Sequence, residues 1–128
     1  MSLAILMVMV AALLGPLTGA LAKAGGAGFD NRRPRTWLAE QEGWRQRANW
    51  AQRNHFEAFA PFAVAVALAL AAGALARQID LLAAGFVLVR LLYTAFYLAN
   101  LATLRSITWA VGLAITLALF VIAARAFG

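Results

Sequence analysis

Residues 90–106, RLLYTAFYLANLATLRS, decide how this chain folds, because they combine membrane-like hydrophobicity with charged and polar side chains. Each helical residue advances by about 100°, so offsets of three and seven return to nearly the same face. The spacing therefore predicts one polar stripe, formed by Arg90, Tyr93, Tyr97 and Asn100, on an otherwise apolar helix. A charge at the centre of a membrane helix costs roughly 2.5–3.5 kcal/mol, so we expect the stripe to line a polar site.

The composition of the whole chain is that of an integral membrane protein. Of 128 residues, 64% are hydrophobic and only 12% are charged, whereas a soluble domain is about half apolar and about a quarter charged. A chain of this length predicts a single domain, residues 1–128. It has no cysteine and one histidine, which excludes cysteine nucleophiles, thiolate metal sites and any multi-histidine metal site within one chain.

Four apolar segments predict four transmembrane helices in an all-α bundle, with spans at about 2–22, 53–76, 81–103 and 107–124. The first segment could also be a cleaved signal peptide, since residues 20–22 read Ala-Leu-Ala. A signal peptide begins with basic residues, and Met1-Ser2-Leu3 has none, which favours a retained helix.

The connections between these spans carry turn and capping signals. Residues 77–80 and 104–106 are predicted to be short turns, with Ser106 capping the fourth span and Thr36 capping the helix that precedes the second. Tryptophans among arginines suit the headgroup layer, so Trp37 and Trp44 are expected in a solvated interfacial extension of the second span. His55 is likewise expected to be an interfacial polar residue.

The basic residues predict the orientation of the chain. The net charge is +6, and the basic side chains cluster beside the spans, which favours anionic lipid over nucleic acid as their partner. Eight of them flank the first and third connections and two flank the opposite side: Lys23, Arg32, Arg33, Arg35, Arg45, Arg47, Arg53 and Arg105 against Arg77 and Arg125. The positive-inside rule then places both termini outside, and it brings the start of the second span to the end of the third.

Together these polar side chains suit a zwitterionic ligand that carries carboxylates. Arginine binds carboxylates through two parallel hydrogen bonds, Glu57 can pair with an amine, and a nearby arginine or hydroxyl favours a thiolate over a thiol. Glutathione has all three kinds of group. The alternative is that Glu57 pairs with Arg90 or Arg53 only to hold the bundle together.

Three segments resemble the MAPEG family, the membrane-associated proteins in eicosanoid and glutathione metabolism, from about Arg47 to the C-terminus. They are residues 53–62 (RNHFEAFAPF), 90–97 (RLLYTAFY) and 104–109 (LRSITW). The resemblance, to bacterial-type members, implies a four-helix subunit of a homotrimer in a bacterial inner membrane, with glutathione at subunit interfaces near the cytoplasmic side. It implies that glutathione is held by Arg53, Asn54, Glu57, Arg90, Tyr93 and Tyr97, and that Arg105 stabilises its thiolate.

Two functions follow as expectations. The first is a glutathione-dependent transferase or peroxidase that acts on a lipophilic electrophile. The second is a non-catalytic membrane scaffold or small-ligand binder with the same fold. Trp109 favours the second, because some family members have a tyrosine at this position and the indole removes its hydroxyl.

Overall fold

The computed structural model describes residues 2–128, and it consists of helices without any β-strand in that range. Four of the helices are long and apolar enough to cross a membrane, which confirms the predicted all-α membrane architecture. The helices are α1 (Leu3–Lys23), α2 (Pro34–Ala39), α3 (Gly43–Ala71), α4 (Ala76–Leu98) and α5 (Ala102–Phe127), of which α2 is the short one.

The four long helices pack side by side with alternating directions. Helix α1 packs mainly against α3, and α4 packs mainly against α5, while α3 also contacts α4 and α5. Arg45 Nη1 donates to the carbonyl of Ala22 at 2.9 Å, and Arg47 donates to the carbonyl of Leu98 through Nε at 3.3 Å and Nη2 at 3.1 Å. These bonds cap the last turns of α1 and α4, whose carbonyls lack helical partners. The end of the bundle with Lys23, Arg45, Arg47 and Arg105 is called the basic end below.

The opposite end of the bundle is held by a carboxylate. Asp80, in α4, accepts a hydrogen bond from the backbone N–H of Ala4 at 2.7 Å and another from the Ser2 hydroxyl at 3.3 Å. The first N–H groups of any helix have no partner within that helix, and a negative charge there also opposes the helix dipole. Asp80 therefore caps α1 from a neighbouring helix.

The core between the helices is built from small residues and two stacked rings. Phe62 of α3 and Phe86 of α4 are buried, and their rings stack 3.8 Å apart at an angle of 6°. On the other side of α3, α1 approaches closely at Gly15, where an added Cβ would lie 2.9 Å from the Phe56 ring. Small residues allow such close approach between membrane helices.

Two long helices end in a left-handed residue, and this changes the predicted polar stripe. In α3, Gly73 has φ +70°, and in α4, Asn100 has φ 60°. The N–H of Asn100 donates to the Tyr97 carbonyl and that of Leu101 to the Phe96 carbonyl, the paired pattern that closes a helix end. Asn100 therefore ends α4 instead of continuing its stripe, and the prediction for this residue is wrong.

The helix ends differ from the predicted spans. Helix α3 begins at Gly43, so the expected extension of the second span around Trp44 is one continuous helix with that span. Helix α4 begins at Ala76, so residues 77–80 are helical and not a turn. Residues 104–106 are also helical, since α5 begins at Ala102. The charges at these positions indicate where the membrane surface lies, but a helix can continue through that surface as long as its backbone hydrogen bonds persist.

Two predicted caps are likewise wrong. Helix α2 starts at Pro34, a residue that suits the first helical position because its missing N–H needs no partner there. Thr36 is therefore inside α2, and Ser106 is inside α5, whose preceding residue is Leu101. Neither helix has a side-chain hydrogen bond from its N-cap residue.

The connection between α1 and α3 folds around a buried tryptophan. Trp37 is 7% exposed, its Nε1 donates to the Ala27 carbonyl at 3.1 Å, and its ring meets that of Phe29 edge to face at 5.2 Å. The expectation that Trp37 is solvated is wrong, because the glycine-rich turn folds back and supplies an acceptor for the indole. Trp44, by contrast, is 42% exposed in the first turn of α3.

Candidate functional site

A groove of about 220 Å³ lies between α3, α4 and α5, and Arg90 forms part of its lining. The predicted residues Asn54 and Glu57 also line this groove, so the structure brings them together with Arg90. The remaining lining is largely apolar and consists of Ala58, Pro61, Phe86, Trp109, Gly112, Leu113 and Thr116. A groove that places one cation and one carboxylate in a largely apolar lining suits a ligand with charged groups and a hydrophobic remainder.

Arg90 is almost completely buried, and its partner is a residue that was not predicted to be part of the site. Arg90 is 2% exposed and His55 is 3% exposed. The Nδ1 atom of His55 lies 3.2 Å from Nε and 3.0 Å from Nη2 of Arg90, and His55 Nε2 lies 2.7 Å from the Thr94 hydroxyl. The expectation of an interfacial His55 is wrong, because residue 55 faces α4 and not the membrane surface.

A second pocket of about 220 Å³ adjoins the groove, with Trp109 lining both. Tyr93, Arg105 and Ser106 form the rest of this pocket. The guanidinium of Arg90 stacks over the Tyr93 ring at 4.1 Å, and that of Arg105 over the Tyr97 ring at 4.7 Å. The two tyrosine rings meet edge to face at 5.5 Å. Arg90, Tyr93, Tyr97 and Arg105 thus form one continuous row of contacts along α4 and the start of α5. Helical spacing predicts the first three members of this row.

Glu57 makes no ion pair with a basic side chain of residues 2–128. The ion pair found in this range joins Arg33 to Asp30, at a distance of 3.8 Å. Instead, the Asn54 amide donates to the Glu57 carboxylate at 3.2 Å. The interpretation that Glu57 pairs with Arg90 or Arg53 to hold the bundle is therefore wrong for the single chain. Glu57 is exposed, and Asn54 Oδ1 is buried without a hydrogen-bond partner.

Arg53 and Glu57 are four residues apart on α3, yet they line different cavities. The cavity that Arg53 lines has a volume of about 490 Å³ and lies between the end of α1, α2 and the first half of α3. Two further basic side chains, Lys23 and Arg35, also line this cavity, together with Asn49, Gln52 and Phe56. A single chain therefore does not place Arg53 in the groove with Arg90.

Asn100 and Tyr97 belong to a small pocket at the basic end, of about 70 Å³, which also contains Arg47 and Arg105. The ring of Trp50 lies 6.3 Å from that of Tyr97. Within residues 2–128 no group of three histidine, cysteine or carboxylate side chains could hold a metal ion.

The MAPEG family model matches residues 1–125. The chain belongs to the MAPEG family. The match includes α1 and the α1–α3 connection, which lie before the segments that carry the resemblance in the sequence. Comparisons with curated proteins and with solved structures gave no match.

Family membership and four apolar helices together make this an integral, multi-pass membrane protein of a family associated with glutathione and eicosanoid metabolism. The groove of this MAPEG chain is built from the same segments that carry the family resemblance. Residues 53–62 supply Asn54 and Glu57, residues 90–97 supply Arg90 and Tyr93, and residues 104–109 supply Arg105 and Trp109.

Proposed function

We propose that this MAPEG protein is a glutathione-dependent transferase or peroxidase that acts on lipophilic electrophiles in the membrane. The observation that carries the proposal is the buried Arg90 guanidinium in an apolar groove whose other polar residues are Asn54, Glu57 and Thr116. A buried cation is costly unless an anion or a strong hydrogen-bond partner compensates it. A carboxylate of glutathione would supply that compensation.

The proposed contacts assign one chemical group of glutathione to each kind of side chain. Arginines bind carboxylates with charge-assisted hydrogen bonds, and Glu57 accepts from the ammonium group. Asn54 has an amide oxygen without a partner, which can accept an N–H from the ligand. The complete set that we propose to hold glutathione is Arg53, Asn54, Glu57, Arg90, Tyr93 and Tyr97.

Arg105 is the proposed catalytic residue. It lines the second pocket beside Tyr93, and its guanidinium lies over the Tyr97 ring. A fixed positive charge next to the sulfur favours the thiolate, which is the nucleophilic form. In conjugation the thiol loses its proton, the sulfur forms a bond to an electrophilic carbon, and the leaving group departs with the electron pair of the bond that breaks.

A homotrimer with glutathione at the subunit boundaries is part of the proposal. Glu57 is exposed on a helix long enough to span a membrane, and a carboxylate that faces lipid is costly. Cover from a neighbouring subunit and a polar ligand would remove that cost. The same arrangement would allow Arg53, which lines a different cavity in its own chain, to contact a ligand held partly by a neighbour.

The proposed orientation places the basic end in the cytoplasm and both termini outside, in a bacterial inner membrane. Lys23, Arg45, Arg47 and Arg105 lie at this end of the bundle, which supports the assignment by the positive-inside rule. The glutathione site would then be entered from the cytoplasmic side.

A non-catalytic scaffold or small-ligand binder is the second candidate. The observation in its favour is that Arg90 already has a buried hydrogen-bond partner within the chain, His55, which engages its Nε and Nη2 atoms without any ligand. In that case Arg90 and Glu57 would serve folding and assembly, and their substitution would impair the oligomer and leave no ligand-dependent effect.

The test is glutathione-dependent chloride release from a chlorinated dinitrobenzene by the detergent-purified protein. We expect turnover by the unmodified chain and its loss in Arg90→Met, which keeps an unbranched side chain but removes the guanidinium. Leu88→Met is the matched control, because Leu88 is 59% exposed on the same helix. Absence of turnover with several electrophiles, from a folded oligomer that also fails to bind glutathione, would support the scaffold.

A further inference from the structure

His55, Arg90 and Thr94 form a closed ring of hydrogen bonds between α3 and α4. Arg90 donates from Nε and Nη2 to His55 Nδ1, His55 Nε2 lies 2.7 Å from Thr94 Oγ1, and Thr94 Oγ1 donates to the Arg90 carbonyl at 3.0 Å. A guanidinium has only donors, so Nδ1 must be an acceptor without a proton. The Thr94 hydroxyl donates its one hydrogen to the Arg90 carbonyl, so in its contact with His55 the Thr94 oxygen must accept and Nε2 must donate.

These directions fix both the tautomer and the charge of His55. An imidazole that accepts at Nδ1 and donates at Nε2 is neutral. The charge of Arg90 is therefore held in place by a partner that does not cancel it. The bonds to His55 use Nε and Nη2 of Arg90 and leave Nη1 unengaged by His55.

The other neighbours of Arg90 pack against its stem and one face, but they do not fix the direction of its N–H groups. The Tyr93 ring covers one face of the guanidinium at 4.1 Å. An added Cβ on Gly112 of α5 would lie 3.9 Å from Arg90 Cδ, so α5 packs closely against the stem of the side chain. The stem and one face are thus fixed by packing, while the direction of the N–H groups is fixed by His55.

We infer that His55 is a positioning residue, which holds the Arg90 guanidinium in the groove as a cation that makes no ion pair within residues 2–128, ready for an anionic group of the ligand. This inference rests on the proposed function for the identity of the ligand, glutathione, and it assigns a carboxylate of glutathione to Arg90. His55 itself touches no ligand. Its effect on binding passes through Arg90.

The first test reads the ring of His55 directly and needs no ligand. His55 is the only histidine of the chain, so protein labelled with ¹⁵N-histidine gives the ring signals of one residue in NMR spectra. We expect the neutral form with the proton on Nε2 and none on Nδ1 at neutral pH, together with a slowly exchanging Arg90 Nε–H. A charged imidazole, or a proton on Nδ1, would overturn the inference.

The second test measures glutathione affinity in four variants of the hydrogen-bonded ring, two at His55 and two at Thr94. His55→Asn keeps an acceptor close to the position of Nδ1, whereas His55→Phe keeps the ring and has no acceptor. A hydrogen bond to a charged group contributes about 1.5–3 kcal/mol, so we expect His55→Phe to weaken glutathione binding about tenfold or more. His55→Asn should restore most of the affinity. Thr94→Val, which removes the hydroxyl that bonds to His55 Nε2 and to the Arg90 carbonyl, should bind glutathione more weakly than Thr94→Ser, which keeps that hydroxyl. This pair serves if His55→Phe does not fold.

A double-mutant cycle separates positioning from a general loss of structure. In the Arg90→Met background, His55→Phe should change the glutathione affinity by less than about twofold, because the residue through which it acts is gone. An effect as large as in the unmodified chain would overturn the inference, as would equal affinities of unmodified protein and His55→Phe.

Failure of the proposed function would be recognised separately. If the unmodified chain binds no glutathione, the proposed function fails. The NMR signal of the Arg90 Nε–H then remains as the test of whether His55 positions Arg90. Loss of that signal in His55→Phe and its retention in His55→Asn would still show that His55 holds Arg90. Its retention in both variants would overturn the inference.

Discussion

His55 Nδ1 lies 3.0 Å from Nη2 and 3.2 Å from Nε of Arg90, although the two residues are 35 positions apart in the chain. The contact joins α3 to α4 and buries both side chains, of which Arg90 is 2% exposed and His55 is 3% exposed. It also sets the direction in which the cation is presented to the groove. The proposed site of this MAPEG chain therefore depends on a neutral residue that binds no ligand.

Asp80→Ala should destabilise the protein through α1, although Asp80 belongs to α4. The substitution leaves the Ala4 N–H and the Ser2 hydroxyl without their acceptor. Loss of a capping side chain costs about 1 kcal/mol, so we expect a lower thermal midpoint in detergent by circular dichroism. Asp80→Asn should lower the thermal midpoint less, because its amide oxygen can still accept from the Ala4 N–H and the Ser2 hydroxyl. Gln78→Ala, an exposed change in the same turn of α4, is the control, and an equal shift in both would contradict the capping role.

Glu57→Gln should leave folding and assembly intact while it weakens glutathione binding. Glu57 is exposed and has no ion pair within residues 2–128, so the bundle does not depend on its charge. The amide keeps the size and can still accept from Asn54, but it cannot pair with the ammonium group of the ligand. Size-exclusion chromatography and calorimetry measure the two properties. A dissociated or aggregated variant would favour the scaffold.

Arg105→Ala should lower the rate of conjugation far more than it lowers glutathione affinity. Arg105 lies over Tyr97 and lines the pocket beside Tyr93, separately from the groove that contains Arg90. Loss of an interaction made mainly with the thiolate lowers kcat and the fraction of bound glutathione that is ionised. Ultraviolet absorbance of the thiolate measures that fraction. Arg105→Lys keeps the charge and is the matched variant. Equal losses of rate and affinity in Arg105→Ala would remove the thiolate role.

Trp37→Ala should release the connection between α1 and α3 without unfolding the membrane helices. The indole is buried, donates to Ala27 and packs on Phe29. Without it we expect faster cleavage by trypsin at the exposed Arg32 and Arg35. Trp44→Ala, which changes a ring that is 42% exposed, is the control. Equal cleavage rates in the two variants would show that the Trp37 cluster does not hold the connection.

The sequence predicts the helices of this protein better than it predicts their ends. Hydrophobicity and length indicate four spans because a bilayer requires about 20 apolar residues per helix. Helix ends depend instead on local backbone geometry, such as the left-handed Gly73 and Asn100. Those conformations are decided by how the chain turns into the next helix, and charge patterns do not report them.

The site was predicted in part for a similar reason. Helical spacing within α4 correctly places Arg90, Tyr93 and Tyr97 on one side, since that inference needs only one helix. His55 lies about 100° from Asn54 around α3, and spacing alone does not tell which of these faces meets α4. The sequence signal that points to His55 is Arg90 itself, because a buried arginine requires a hydrogen-bond acceptor and His55 is close to the start of the neighbouring span.

The central claim is that the groove with Arg90 binds glutathione, and calorimetry on detergent-purified protein tests it most directly. Glutathione should bind saturably to the unmodified chain, much more weakly but measurably to Arg90→Met, more weakly to Arg53→Ala, and not at all to Glu57→Ala. The Leu88→Met control, an exposed change on α4, should bind like the unmodified chain. A folded, unmodified protein that shows no binding of glutathione would contradict the account.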